Sequence, residues 1–151
     1  MIGNVDTPNV DSQNMLAIRS PQAARQVRRD SGLRRARTCY DHLAGVAGVS
    51  LLDEMLSRGW FREEKGPRTL YRLTGNGERA LLRLGVDVPR AAAQRRPFAY
   101  GCLDWTERRY HLRGSLAAAI LTALLSSGTV GRSAGTRTVE LERPILDWLK
   151  S

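Results

Sequence analysis

Ala36-Arg37-Thr38-Cys39-Tyr40-Asp41-His42-Leu43-Ala44-Gly45 holds one of the two cysteines and one of the two histidines of this 151-residue chain. The others stand in a second stretch of the same grammar, Cys102-Leu103-Asp104-Trp105 followed by His111-Leu112-Arg113-Gly114. How the first stretch folds decides how the chain is built. Leu33, Ala36, Tyr40, Leu43 and Ala47 are spaced three or four apart, as one buried stripe of a helix would be. The spacing predicts a helix over 33–44, punctuated by Gly45 and Gly48. A further helix over 51–58 is predicted, with Ser50 as cap, Asp53 and Glu54 in its first turn and Gly59 as stop. Acids at that end would repel phosphate, so this helix is unsuited to reading a major groove.

Working outward, Trp60 and Phe61 open a strand, Glu63-Glu64-Lys65-Gly66-Pro67 makes a turn, and Thr69-Leu70-Tyr71-Arg72-Leu73 returns as a second strand. Thr74 caps a helix over 75–84, closed by Gly85. Shifting the chain by 69 residues overlays this unit on a second one. His42, Leu43, Gly45, Leu52, Leu56, Ser57 and Gly59 meet His111, Leu112, Gly114, Leu121, Leu125, Ser126 and Gly128, seven identities without a gap. Cys-x-Asp recurs upstream with six extra residues in the second copy. Thr106 is expected to cap a helix there beginning Glu107-Arg108-Arg109. A very apolar helix over 116–125, a hairpin over 129–141 and a short helix over 145–149 complete the second unit.

The fold class expected is mainly α with small β-hairpins (α+β), as two tandem winged-helix-like units related by an internal repeat. The divisions are a loose arm over 1–20, a basic helical segment over 21–32, the first unit over 33–86, a linker over 87–101 with a helical piece at 91–94, and the second unit over 102–151. The apolar helix over 116–125 belongs at a core shared by both units.

The net charge is +9 with a pI near 10.7, and Lys65 and Lys150 are the only lysines. Such a chain is suited to phosphate contact, and DNA is the expected partner. Seven arginines (19, 25, 28, 29, 34, 35 and 37) between residues 19 and 37 face one acid, Asp30. Arg25, Arg28, Arg29, Arg34 and Arg35 are the candidate DNA-binding residues; the alternative is a solvated helix face. No signal-peptide pattern opens the chain, and the apolar run over 116–125, about ten residues, is too short for a membrane span. A cytoplasmic location without membrane contact is expected. No catalytic triad order, paired-carboxylate pattern or cofactor fingerprint is present, so an enzyme is not expected.

Cys39 and His42, three apart on a predicted helix, would share a face, which is metal-ligand spacing. With Cys102 and His111 brought near, a Cys₂His₂ set results, suited to a divalent metal such as zinc, with Asp41 and Asp104 as ligands or as partners of the histidines. A redox role for the thiols and plain core packing are the other two readings of the same residues.

Ala36-Arg37-Thr38-Cys39-Tyr40-Asp41-His42-Leu43-Ala44-Gly45, together with Cys102-Leu103-Asp104-Trp105-Thr106-Glu107-Arg108-Arg109 and His111-Leu112-Arg113-Gly114, resembles the C-terminal region of long ArsR-family winged-helix transcriptional regulators. Trp60, Leu73-Thr74 and Gly77 also match, and the resemblance runs from about residue 33 to the end. It implies transcription regulation, dimerisation as a homodimer, and metal sensing. In that family the DNA-reading winged helix precedes this region. Here only residues 1–32 precede it, without a recognition-helix pattern, so the chain is expected to be an effector or dimerisation half whose reader is missing or cut short; the alternative is a metal- or small-ligand-binding interaction module without DNA contact.

Overall fold

The stretch that decides the fold is a β-hairpin, not a helix. In the computed structural model, which describes residues 34–132 and 136–151, β1 (Arg37–Cys39) pairs antiparallel with β2 (His42–Ala44). The register sets Cys39 opposite His42, with Tyr40-Asp41 as a two-residue turn. Tyr40 has φ 63° and Asp41 is not left-handed, the pattern of a II′ hairpin turn. Thr38 favours extended backbone, and pairing with β2, with a further bond from the Thr38 amide to the distant Arg137 carbonyl, overrides the helix-like spacing of the apolar positions.

Gly45 ends the hairpin at φ 78° and opens α1 (Gly45–Ser57). A Cβ at Gly45 would lie 2.5 Å from the Arg34 carbonyl oxygen, so the turn into the helix requires glycine. The helix thus begins six residues before its predicted start at residue 51. Ser50 is inside it, and Asp53 and Glu54 are not in its first turn. Instead they form ion pairs with Arg109 and Arg58 respectively.

β3 (Phe61–Glu64) and β4 (Leu70–Leu73) form the predicted hairpin, and α2 (Gly75–Arg83) follows, with Thr74 Oγ1 accepting from the Gly77 amide at 3.1 Å. The helical piece between the halves, α3 (Val88–Ala92), lies three residues earlier than predicted. Asp87 caps it and Pro89 sits in its first turn, where the missing N–H is harmless. Then the first pattern returns. β5 (Tyr100–Leu103) pairs with β6 (Tyr110–Arg113), with Cys102 opposite His111. The helix predicted from Thr106 is the turn of this hairpin. α4 (Ser115–Ser126), the hairpin of β7 (Val130–Arg132) with β8 (Val139–Leu141), and α5 (Ile145–Trp148) complete the chain.

Each outer hairpin docks on the cysteine hairpin of the other half. The Gly101 amide donates to the Thr69 carbonyl and the Tyr71 amide to that of Ala99, which extends one sheet as β3-β4-β5-β6. The Thr38 amide donates to the Arg137 carbonyl and the Val139 amide to that of Ala36, which bridges β1 to β8 in the same way. The helices cross over likewise: α1 packs chiefly on β6, and α4 packs on β2 and on α3 alike. Their buried leucines, Leu51, Leu52, Leu116, Leu121 and Leu124, form a common core with Met55 and Ile120. Each fully buried leucine contributes roughly 1.5–3 kcal/mol. Residues assigned from sequence to separate units thus share sheets and core, and the cysteine hairpins face each other at the centre.

Candidate metal centre

Hairpin geometry places the four rare residues together. The Cys39 and Cys102 sulfurs and one nitrogen each of His42 and His111 all lie within 4.8 Å of one another. Both imidazoles are buried and both cysteines half-buried. His42 Nε2 and His111 Nε2 are 3.0 Å apart. The site also needs a close approach from α1. A Cβ on Gly48 would stand 2.5 Å from the Leu43 carbonyl oxygen and 3.3 Å from His111 Cβ. Gly48, expected to punctuate the chain, instead lets a helix lie against the histidines.

The other ring nitrogen of each histidine meets a carboxylate. His111 Nδ1 is 2.9 Å from Asp104 Oδ2, and His42 Nδ1 is 3.4 Å from Asp41 Oδ1. Asp104 is fully buried. Burial works against its charge, but hydrogen bonds from His111, Thr106 and the Gly45 amide, with the Arg37 guanidinium beside it, hold its carboxyl well below the usual carboxylate range. The Gly45 contact, 2.6 Å, satisfies an orphan donor at the start of α1 from the opposite half of the fold. Asp41 is likewise kept ionised: burial opposes the charge, and Arg96 at 2.6 Å and His42 outweigh it.

An ionised carboxylate only accepts, so the tautomer that suits both contacts puts a proton on each Nδ1 and turns the lone pair of each Nε2 toward the other ring. Two lone pairs 3.0 Å apart repel unless a cation lies between them, either a shared proton or a metal ion. His111 responds accordingly. Burial disfavours its imidazolium, but Asp104 and then Cys39 raise its pKa above the ordinary histidine value. The thiols behave as a pair. A hydrogen bond from Cys102, then those from His111 and His42, shift Cys39 strongly downward, while the bond to Cys39 and burial push Cys102 upward. The first proton leaves the pair readily and the second with difficulty.

The donor set fits a tetrahedral ion. Zinc bonds of ~2.0–2.3 Å to nitrogen and sulfur place neighbouring ligands ~3.3–3.8 Å apart, against 3.0 Å between the imidazoles and at most 4.8 Å across the cluster. Small side-chain adjustments close that difference. Carboxylates on both Nδ1 atoms fix the ring tautomer and orientation that a metal requires.

The candidate DNA-binding residues are placed differently. Arg25, Arg28 and Arg29 lie outside the described residues. Arg34 and Arg35 are exposed, and Arg34 pairs with Glu107 at 3.0 Å. Arg37, counted from sequence with the phosphate-facing set, is buried against Asp104 at 3.0 Å and stacks over Trp105 at 4.6 Å. It is structural. Arg37, Arg96 and the Gly45 amide are the parts of the site that sequence reading missed. The basic run hid Arg37 among its neighbours, and the other two are joined to the site only by the tertiary fold.

Among known proteins the chain is similar to one of the transcriptional-regulator class. That relative is YdfF of Bacillus subtilis (strain 168), an uncharacterized HTH-type transcriptional regulator, 34% identical over 106 residues. The match covers 70% of this chain and 46% of the relative, so the chain spans about half the length of that protein. No family model and no solved structure matches the chain. Among the described residues, no helix is long and apolar enough to cross a membrane.

Proposed function

We propose that this chain is the metal-sensing half of an ArsR-type transcriptional regulator, with Cys39, His42, Cys102 and His111 ligating one divalent ion such as zinc. The observation that carries this reading is the pair of Nε2 atoms 3.0 Å apart, each ring backed by a carboxylate on Nδ1, with two thiols beside them. The ion would replace the shared proton between the rings and neutralise the second thiolate, which the protein alone charges with difficulty. Similarity to an HTH-type regulator supports a role in transcription. The recurrence of hairpin, helix, hairpin, helix in both halves, with matching inter-half hydrogen bonds, supports two winged-helix-like units that arose by duplication.

In this reading a metal at the interface of the two cysteine hairpins clamps the halves together, and the chain acts as a homodimer. DNA contact comes from Arg25, Arg28, Arg29, Arg34 and Arg35, and from any reading domain of the whole regulator. Titration of the reduced chain with Co(II) tests the metal centre. One equivalent should bind with the absorption of a tetrahedral thiolate complex, be displaced by zinc, and be lost in Cys39→Ser. A chain that takes up neither ion overturns it. The DNA component is tested separately by retardation of duplex at low salt, weakened when Arg28, Arg29, Arg34 and Arg35 are replaced; absence of any retardation removes it.

A further inference from the structure

The four clustered side chains differ in access. His42 and His111 are buried, whereas Cys39 and Cys102 are half-buried, so the two cysteines are the more accessible members of the cluster. Both are free thiols, and the chain contains no third cysteine. Each stands at the paired position of its own hairpin, opposite a histidine. Their sulfurs lie within 4.8 Å of each other, so forming an S–S bond of ~2.05 Å asks for less than ~3 Å of approach. Rotation of the two side chains supplies much of that distance.

We propose that Cys39 and Cys102 form an oxidation site, at which a peroxide converts the two thiols to an internal disulfide, and that this disulfide and a bound metal exclude each other. One thiolate attacks a peroxide oxygen. The O–O bond breaks, a sulfenic acid forms on that sulfur, and the departing oxygen leaves as water, or as an alcohol from an organic peroxide, after taking a proton. The second thiolate then attacks the sulfenic sulfur. The S–S bond forms, the S–O bond breaks, and the hydroxide takes a proton to leave as water. The sulfurs lose two electrons in total and the peroxide gains them. A disulfide offers no thiolate, so an ion held by the four residues loses two ligands and leaves. This last step rests on the metal reading above; the oxidation itself does not.

The test uses the full chain, reduced and stripped of metal, treated with hydrogen peroxide. Reactive thiols should fall from two to none, the intact mass should drop by two hydrogens, and one cross-linked peptide pair should join Cys39 to Cys102. Dithiothreitol should reverse all three. Disulfide-linked dimers, sulfinic acids or unreacted thiols in place of the internal bond overturn the proposal. In a second arm, zinc-loaded chain is oxidised beside a chromogenic chelator, and one zinc should appear per disulfide formed. Zinc retained by the oxidised chain overturns the exclusion. A reduced chain that takes up no zinc, yet forms the internal disulfide, sinks the metal reading and leaves the oxidation site standing.

Discussion

The two cysteine hairpins present the same three residue types to one centre, but they hold their aspartates in opposite ways. In the second hairpin Asp104 is 0% exposed and meets His111, Arg37, Thr106 and the first amide of α1. In the first, the Asp41 side chain is 31% exposed and meets Arg96 and, at 3.4 Å, His42. Turn length causes the difference. Only Tyr40 and Asp41 separate β1 from β2, which pins Asp41 at a surface corner. Six residues, 104–109, separate β5 from β6 and let Asp104 fold back under the site. The short hairpin supplies a Cys–His pair with an adjustable support, while the long one supplies a Cys–His pair with a fixed support that also anchors a helix of the other half.

The largest effect that separates the hairpins is expected from Asp104→Asn against Asp41→Asn. Removing the Asp104 charge takes a buried carboxylate away from Arg37 and weakens the start of α1. Breaking a buried pair in this way costs roughly 3–5 kcal/mol. Asp41→Asn should cost at most about 1 kcal/mol, because Arg96 is half-exposed and its ion pair is screened by water. Urea unfolding of the metal-free proteins measures both. Metal affinity should fall about 10- to 100-fold in Asp104→Asn and less in Asp41→Asn. Equal costs would mean that turn length does not set the division of labour.

The next effect is on pH. At the proposed centre a metal would displace the proton between the imidazoles, and the raised pKa of His111 means that this proton would compete from above the usual histidine range. Zinc affinity should therefore begin to weaken while the pH is still above ~6.5, the value at which an ordinary histidine is half-protonated. Proton release on binding, measured by titration calorimetry in buffers of different ionisation heat, gives the count. The metal-free fold should respond with the opposite sign. A histidine with a raised folded pKa contributes stability that is fully present below the unfolded value and is lost as pH rises through the folded one. Metal-free and zinc-loaded chains should diverge in stability with increasing pH, and parallel curves would remove His111 from the site.

The members of the candidate site were legible as rare residues repeated in one grammar. The architecture around them was misread because the apolar spacing over 33–47 imitates a helix. The six extra residues in the second copy were the available signal. A helix cannot accept six residues between Cys and His and keep their relation, whereas a hairpin takes two of them as one more ladder pair, Leu103 with Tyr110, and four in its turn, and leaves Cys102 opposite His111, as Cys39 is opposite His42. The outer hairpins, α2 and α4 were readable because their caps and apolar runs are local. The exchange of strands between halves was not, since backbone pairing such as Thr38 to Arg137 leaves no pattern in side-chain type. Arg37 shows the same limit from the other direction: its neighbours are basic, but its surroundings are set by Asp104, 67 residues away.

The smallest expected effect concerns the short turn itself. Tyr40 takes a left-handed conformation at the position where a II′ turn favours glycine, and its side chain, 81% exposed, gains little packing in return. Such a residue carries about 1–3 kcal/mol of strain, and the extra freedom of glycine in the unfolded chain offsets about 0.5–1 kcal/mol of the relief. Tyr40→Gly should therefore stabilise the fold by about 1 kcal/mol, read as a higher urea midpoint at unchanged slope, while the cobalt spectrum stays the same. Arg108, left-handed in the long turn at φ 60°, tests whether the gain is particular to the tight corner. Its turn has six residues over which to adjust, so Arg108→Gly should gain less. A larger gain at Arg108 would place the more strained corner in the long hairpin and reverse the contrast between a constrained short turn and an accommodating long one.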